Sequence, residues 1–439
     1  DVRGIYTLAS AIIDYRGYRV IAQSIIPGIL QNDQGSKHVY GSIDDGKSFA
    51  WDEKYHKLMD EAAEKLHIKE HTVIDKDNKP VTLNCPVECK GIMGSDGRFY
   101  VLDLVRVTPR DVNFKDIQTA IVRPELVKSY IRYKVAKAAL KKKKDEKEKA
   151  QQAQADEKKD ATPAATPEQS SALDQAAPAA VTPAAPAEQP AEEQQDVIAL
   201  AKAKEQAEQD EAKALQIKFN PDVFTTHQLS NDGNNVAEDE ALVTDLSQYL
   251  LNTVIPSFIK EVSNLENLPM DGCALTEAMH SKGINMRYLG IIANLCEANP
   301  VLAFLRLLCM QEMVIRTARQ EFNVTLRNTA DEVLAKTIAQ FLNNLFAQPA
   351  KKNELRAKLA EAVEKKYKFK LGEQFMTQLP ILSTVRSFAL RAGVRLACKD
   401  YPLHNAQPFS PSEIQCLDPV VKHSTPKSST ATGLLEVGR

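Results

Sequence analysis

Gly41-Ser42-Ile43-Asp44-Asp45-Gly46-Lys47-Ser48 satisfies G-x-x-x-x-G-K-S/T, the loop in which backbone amides and a lysine cradle nucleotide phosphates. Phe99-Tyr100-Val101-Leu102-Asp103 could supply the companion strand, ending in a carboxylate for magnesium. Together they would hydrolyse a nucleoside triphosphate. That chemistry needs a helix starting at the Gly-Lys step, so that its positive end faces the phosphates. Here Phe49-Ala50-Trp51 reads as extended, helical spacing starts near Asp52, and Asp44 and Asp45 would put two negative charges in the cradle. An Asp-Gly hairpin turn explains the same residues and is the expectation.

His67-x₃-His71 and Cys85-x₃-Cys89 offer four zinc-ligand types in one short stretch. Their order and spacing are not those of a common finger. Val73 and Ile74 read as strand, which would separate the two imidazoles, so ordinary buried thiols and surface imidazoles are expected. Asp103 and Arg106 could flank a cleft, but an ion pair closing a hairpin is the simpler reading. Leu102-Asp103-Leu104 resembles a kinase metal-binding aspartate, yet the G-x-G-x-x-G and H-R-D loops are missing. No compact Ser-His-Asp or Cys-His arrangement is present. The expectation is a non-enzymatic protein with no catalytic residues, no cofactor and no metal site.

The basic segment carries the better functional lead. Lys366-Tyr367-Lys368-Phe369-Lys370 interleaves cations with aromatics, the combination that grips phosphates and stacks exposed bases. Arg391, Arg395 and Lys399 recur every four residues, which on a helix makes one cationic stripe opposite Val385, Phe388 and Ala389. These eight residues are the candidate RNA-binding set, since neutralising phosphates releases counterions. A solvated helix face explains them equally well, as does docking onto an acidic part of the same chain. Residues 351–399 hold twelve Lys and Arg against four Glu, and residues 216–272 hold two Lys against nine acids.

These residues need elements to hold them, and composition marks where the elements lie. The chain has 439 residues and a net charge of −2, so no global field drives it onto nucleic acid or a membrane. Seven cysteines, an odd number, argue for reduced thiols and a cytosolic compartment. No run approaches the roughly 18 apolar residues of a membrane span, and no secretory leader opens the chain. The start at Asp1-Val2-Arg3 and the end at Leu434-Leu435-Glu436-Val437-Gly438-Arg439 suggest an internal piece of a longer polypeptide.

The pattern predicts an α+β protein. Residues 1–140 read as a mixed α/β region: a strand at Arg19-Val20-Ile21-Ala22-Gln23-Ser24-Ile25-Ile26, a helix over 52–66, and a hairpin whose arms, 88–93 and 98–105, flank Gly94-Ser95-Asp96-Gly97. Residues 141–215 read as a charged, Pro/Ala-rich flexible linker: a helix begun near Glu125, a disordered tract over 162–190, then a second charged helix over 192–217. Residues 216–424 read as mainly α-helical, with helices over 241–258, 289–296, 301–322, 330–346, 353–367 and 381–398. Residues 425–439 read as the start of a further helix. No fixed-period repeat is visible.

Four irregular strings resemble the clustered mitochondria family, also called CLU or Clueless. They are Asp14-Tyr15-Arg16-Gly17-Tyr18-Arg19-Val20-Ile21-Ala22-Gln23-Ser24-Ile25-Ile26-Pro27-Gly28, Glu88-Cys89-Lys90-Gly91-Ile92-Met93-Gly94-Ser95-Asp96-Gly97-Arg98, His280-Ser281-Lys282-Gly283-Ile284-Asn285-Met286-Arg287-Tyr288-Leu289-Gly290, and Pro419-Val420-Val421-Lys422-His423-Ser424. The resemblance implies that the first region is the latter part of a CLU domain. The helical region is then the central domain, and tetratricopeptide repeats would follow residue 439. It further implies a cytoplasmic protein that binds mRNAs of nuclear-encoded mitochondrial proteins and acts in mitochondrial distribution. Its partners would be the ribosome or the translation initiation factor 3 complex, with peripheral association with mitochondria and no membrane insertion. The alternative is an interaction scaffold at ribosomes or mitochondria without direct RNA contact. The resemblance implies no catalytic residue and does not say which residues touch RNA.

Overall fold

The computed structural model describes residues 2–31, 37–44, 46–157, 217–230, 235–347 and 353–424. The tract over 162–190, the charged helix over 192–217 except for its last residue, and the closing helix over 425–439 lie outside them. The fold is α+β, as the pattern predicts. Residues up to Val127 and from Lys218 onward form one compact unit, and Lys128–Ile217 form another. The helix expected near Glu125 runs over Pro124–Glu157, through the lysine-rich stretch.

In the first unit, strands β1 (Ile5–Tyr6), β2 (Ser10–Tyr15), β3 (Tyr18–Gln23), β4 (Lys37–Ser42) and β5 (Phe49–Ala50) precede a helix over Glu53–Leu66. Strands β6 (His71–Ile74), β7 (Pro80–Leu83), β8 (Lys90–Met93) and β9 (Phe99–Leu102) follow it. The main sheet has the order β1-β9-β8-β4-β5, parallel only where β1 meets β9. The β8–β9 hairpin closes through Gly94–Gly97 as its Asp-Gly turn demands, with Met93 opposite Phe99. Asp52 caps the helix by accepting the Tyr55 amide at 2.8 Å, and His67 ends it in the left-handed conformation at φ 57°. Tyr55, Met59 and Ala63, spaced by four, turn one face inward. Tyr55 and Met59 pack on Tyr40, Val73, Leu83 and Val101, with the Tyr40 and Tyr55 rings stacked at 5.1 Å.

After the second unit come helices over Val236–Tyr249, Ile255–Ser263, Gly272–Ser281, Leu289–Leu295, Ala303–Arg327, Leu334–Phe346, Glu354–Tyr367, Phe375–Gln378 and Ile381–Ala392, among the described residues. Ala303–Arg327 is the centre, packing against the Leu289–Leu295, Leu334–Phe346, Glu354–Tyr367 and Ile381–Ala392 helices. Phe322, Phe341, Phe346 and Phe388 bury their rings there, with Phe388 5.5 to 5.9 Å from the other three. The short Gly272–Ser281 helix escapes the periodicity reading, although Asp271 caps it by accepting the Ala274 amide at 2.8 Å.

The 381–398 helix of the sequence reading ends early. Ala392 is its last residue, Gly393 takes φ +73° as a left-handed cap, and Val394–Leu396 forms β10 against β11 (Ile414–Leu417). A side chain on Gly393 would run into the Asp418 carbonyl. The last strand, β12 (Val420–Ser424), joins β2 and β3 in the order β12-β2-β3. The first and last of the four family-like strings therefore lie in one sheet.

Candidate functional site

The phosphate-loop match folds as the hairpin between β4 and β5, with Gly41 opposite Ala50 and Ser42 opposite Phe49. Ser42 Oγ accepts the Gly46 amide at 2.6 Å, the Ile43 amide donates to Ser48 O at 2.9 Å, and Gly46 holds φ +87°. The next helix begins at Glu53, beyond the strand, so among the described residues no helix starts at the Gly-Lys step as a phosphate loop needs.

The His and Cys residues separate. His67 caps its helix, while His71 is buried on β6 with Nδ1 3.0 Å from Lys69 O and Nε2 2.6 Å from Asp222 Oδ2. Cys85 and Cys89 lie buried in the apolar core beside Tyr40. The Cys89 side chain at hydrogen-bond range, burial, and the negative charge nearby push the Cys85 thiol well above its ordinary value. Among the described residues no His, Cys, Asp and Glu side chains gather as a metal would require.

The Asp103–Arg106 pair is a correction. Asp103 turns to Lys90 across the hairpin at 2.9 Å, whereas Arg106 reaches Glu88 at 2.6 Å, Asp222 and the Pro221 carbonyl. Asp103 and Glu88, with Ser42 and His227, border a hollow of about 260 Å³ in which Lys90 pairs with Asp103 and His227 lies 3.7 Å from Glu88. Asp222 is fully buried and also accepts the Val87 amide at 3.1 Å. Burial raises its pKa, but His71 and Arg106 outweigh that and hold it below the usual carboxylate range. With Lys69–Asp239 at 2.6 Å and Arg106 on Asp222, this network joins acids of the 216–272 segment to cations of the first 127 residues.

The basic candidates divide. Tyr367 and Phe369 are buried, so their faces are covered and stack no base; burial pushes the Tyr367 hydroxyl up to about 12. Lys366, Lys368 and Lys370 are exposed. Lys368, left-handed at φ 54°, ends its helix with its ammonium 5.2 Å from the Phe114 ring. Lost solvation and then nearby Arg316 lower the pKa of Lys366.

The expected stripe of Arg391, Arg395 and Lys399 does not exist, because Gly393 ends the helix before Arg395. Arg391 pairs with buried Glu312 at 2.7 Å. Arg395, on β10, pairs with Asp418 at 2.8 Å, and Lys399 pairs with Glu413. Intramolecular docking onto residues 216–272 is not their arrangement either; Lys358 likewise goes elsewhere, to Glu321 at 2.5 Å.

Sequence spacing misses a denser cationic group drawn from five elements. Asp14 on β2 holds both Arg19, at 2.8 Å, and Arg319. Glu312 holds both Arg316, at 3.1 Å, and Arg391. Lys422 on β12 lies close enough to feel all four arginines. Only the tertiary fold brings positions 14, 19, 312–319, 391 and 422 together.

The sequence profile described as Clustered mitochondria matches residues 1–114, and that of Translation initiation factor eIF3 subunit 135 matches residues 266–354 and 348–403. The Clustered mitochondria protein of Arabidopsis thaliana is 36% identical across 100% of this chain and 34% of its own length. The homolog from Dictyostelium discoideum is 32% identical, again across 100% of this chain and 34% of its own. Protein clueless of Drosophila willistoni is 34% identical over 79% of this chain and 27% of its own. The chain spans about a third of the length of the first two relatives. No solved structure matches.

Proposed function

Because the chain belongs to the clustered mitochondria family, we propose that it is part of a cytoplasmic mRNA-binding regulator of nuclear-encoded mitochondrial proteins, one that works with the translation machinery and helps distribute mitochondria. The observation that carries the reading is a coincidence of positions. The stretch similar to Translation initiation factor eIF3 subunit 135 includes the segment with twelve cations against four Glu, and Lys366, Lys368 and Lys370 are exposed on it. Exposed ammonium groups neutralise phosphodiesters without needing aromatic platforms. The function is binding, with no catalytic step, cofactor or metal. Its partners are mRNAs, the ribosome or initiation factor 3 complex, and the mitochondrial surface through peripheral contact. Among the described residues no helix is long and apolar enough to cross a membrane.

A scaffold that meets RNA only indirectly is the second reading, and one feature favours it. Tyr18, Val20 and Ile21 on β3 are each more than half exposed, an apolar edge of the kind protein partners cover. Charge reversal of Lys366, Lys368 and Lys370 separates the readings through crosslinking of RNA to the full-length protein in cells. Direct binding predicts loss of crosslinks while co-sedimentation with ribosomes persists. Unchanged crosslinks would leave the scaffold reading.

A further inference from the structure

Four arginines and a lysine surround two carboxylates where β12 pairs with β2 and β2 meets the central helix through Asp14 and Arg319. Asp14 is nearly buried and is shared by Arg19 and Arg319; Glu312 is fully buried and is shared by Arg316 and Arg391. Each carboxylate balances one cation of its pair. Lys422 adds a fifth positive charge, and no carboxylate pairs with it among the described residues, so the group carries a formal excess of three.

The backbone aims this lysine. Val420 lies opposite Asp14 and Val421 opposite Ile13, but the register shifts before His423, which faces Ile12, leaving Lys422 as the extra residue of a bulge. Bulges re-aim side chains and recur beside functional sites. The neighbourhood is unfavourable for an ammonium: burial and then Arg319, Arg391, Arg19 and Arg316 bring its pKa down to about 8. A fold that crowds like charges around a lysine, and holds the arginines in place with buried carboxylates, is arranged for an anion that supplies the missing negative charge.

We propose that Lys422, with Arg19, Arg316, Arg319 and Arg391, binds a dianionic phosphate group borne by a small molecule. A phosphomonoester carries about −1.5 to −2 charges at neutral pH and three acceptor oxygens, which suits several converging guanidinium donors. A phosphodiester brings one charge and fits the excess less well. The site adjoins the exposed lysines at Lys366, which lies near Arg316, but none of its five cations is one of them, so it stands whether or not those lysines touch RNA.

The test titrates inorganic phosphate, and in parallel dimethyl phosphate as a diester probe, into the chain at constant ionic strength maintained with chloride. Calorimetry reads the affinity. Phosphate should bind at least tenfold more tightly than dimethyl phosphate, and Lys422→Gln should weaken phosphate about tenfold, a charge-assisted hydrogen bond's worth. Arg19→Gln should weaken it too, since Asp14 keeps Arg319. Folding is controlled by the thermal midpoint without phosphate, which Lys422→Gln should leave unchanged or raise. Absence of phosphate binding, equal binding by both variants and the parent chain, or preference for the diester would each overturn the proposal; the last would assign the cluster to a nucleic-acid backbone.

Discussion

Replacing Asp222 with asparagine should destabilise the first unit by about 3 kcal/mol. The carboxylate is fully buried, lies 2.6 Å from His71 Nε2, and receives Arg106 and the Val87 amide. Removing one partner of a buried ion pair strands the others and costs about 3–5 kcal/mol. The low end applies because Arg106 keeps Glu88 at 2.6 Å and the Pro221 carbonyl. For a unit of roughly 350 residues, at about 2.1 cal/mol/K of unfolding entropy per residue, about 1.4 °C accompanies each kcal/mol, so the midpoint should fall by about 4 °C. Urea denaturation of Asp222→Asn, Arg106→Met and the double variant measures it, and the double change should cost less than the sum of the singles. Acid has the same effect as the substitution. The folded carboxylate titrates below its ordinary value, so its stabilisation is complete above about pH 4 and disappears as pH falls through the lower folded value. A loss under 1 kcal/mol, or strict additivity, would refute the reasoning that this network joins the first 127 residues to those from Lys218 onward.

Other substitutions probe the remaining elements. Phe388→Ala removes the ring that meets Phe322, Phe341 and Phe346 and should cost about 3–5 kcal/mol in denaturant titrations. Gly393→Ala places a side chain at φ +73° against the Asp418 carbonyl; a loss of about 1–3 kcal/mol is expected, and a neutral result would contradict the left-handed cap. Lys422 should show an inverted pH dependence. Its folded pKa, about 8, lies below the unfolded value, so the penalty is full at neutral pH and eases as pH rises above 8. Relative to Lys422→Gln, the parent chain should gain stability between about pH 8 and 10; a flat difference would contradict the crowding.

Local rules made much of the fold legible. The apolar spacing of Tyr55, Met59 and Ala63 announced a helix, and Asp96-Gly97 announced a hairpin through the backbone angles that glycine allows. Both signals act within a few residues. Gly393 carried an equally local signal, a helix stop after the last periodic residue, but the four-residue recurrence of Arg391, Arg395 and Lys399 masked it. Burial of Tyr367 and Phe369 was less visible: alternating cations and aromatics look the same whether the rings face water or the core. The cationic group at Asp14, Glu312 and Lys422 depends on a strand from residues 420–424 pairing with one from residues 10–15. Spacing along the chain cannot encode that. The ion network at Asp222 has the same origin, since its partners lie 151 and 116 residues away.

The most direct test of the central claim is the affinity of the chain for a mitochondrial-protein transcript across a salt series, with an unrelated RNA of equal length as control. Direct contact predicts tight, transcript-selective binding whose logarithm falls linearly with log salt concentration. Charge removal at Lys366, Lys368 and Lys370 should then flatten the slope by about 2, since each single-strand phosphate contact contributes about 0.7. Binding that is absent, or a slope indifferent to those three lysines, would contradict the account and assign RNA recognition elsewhere.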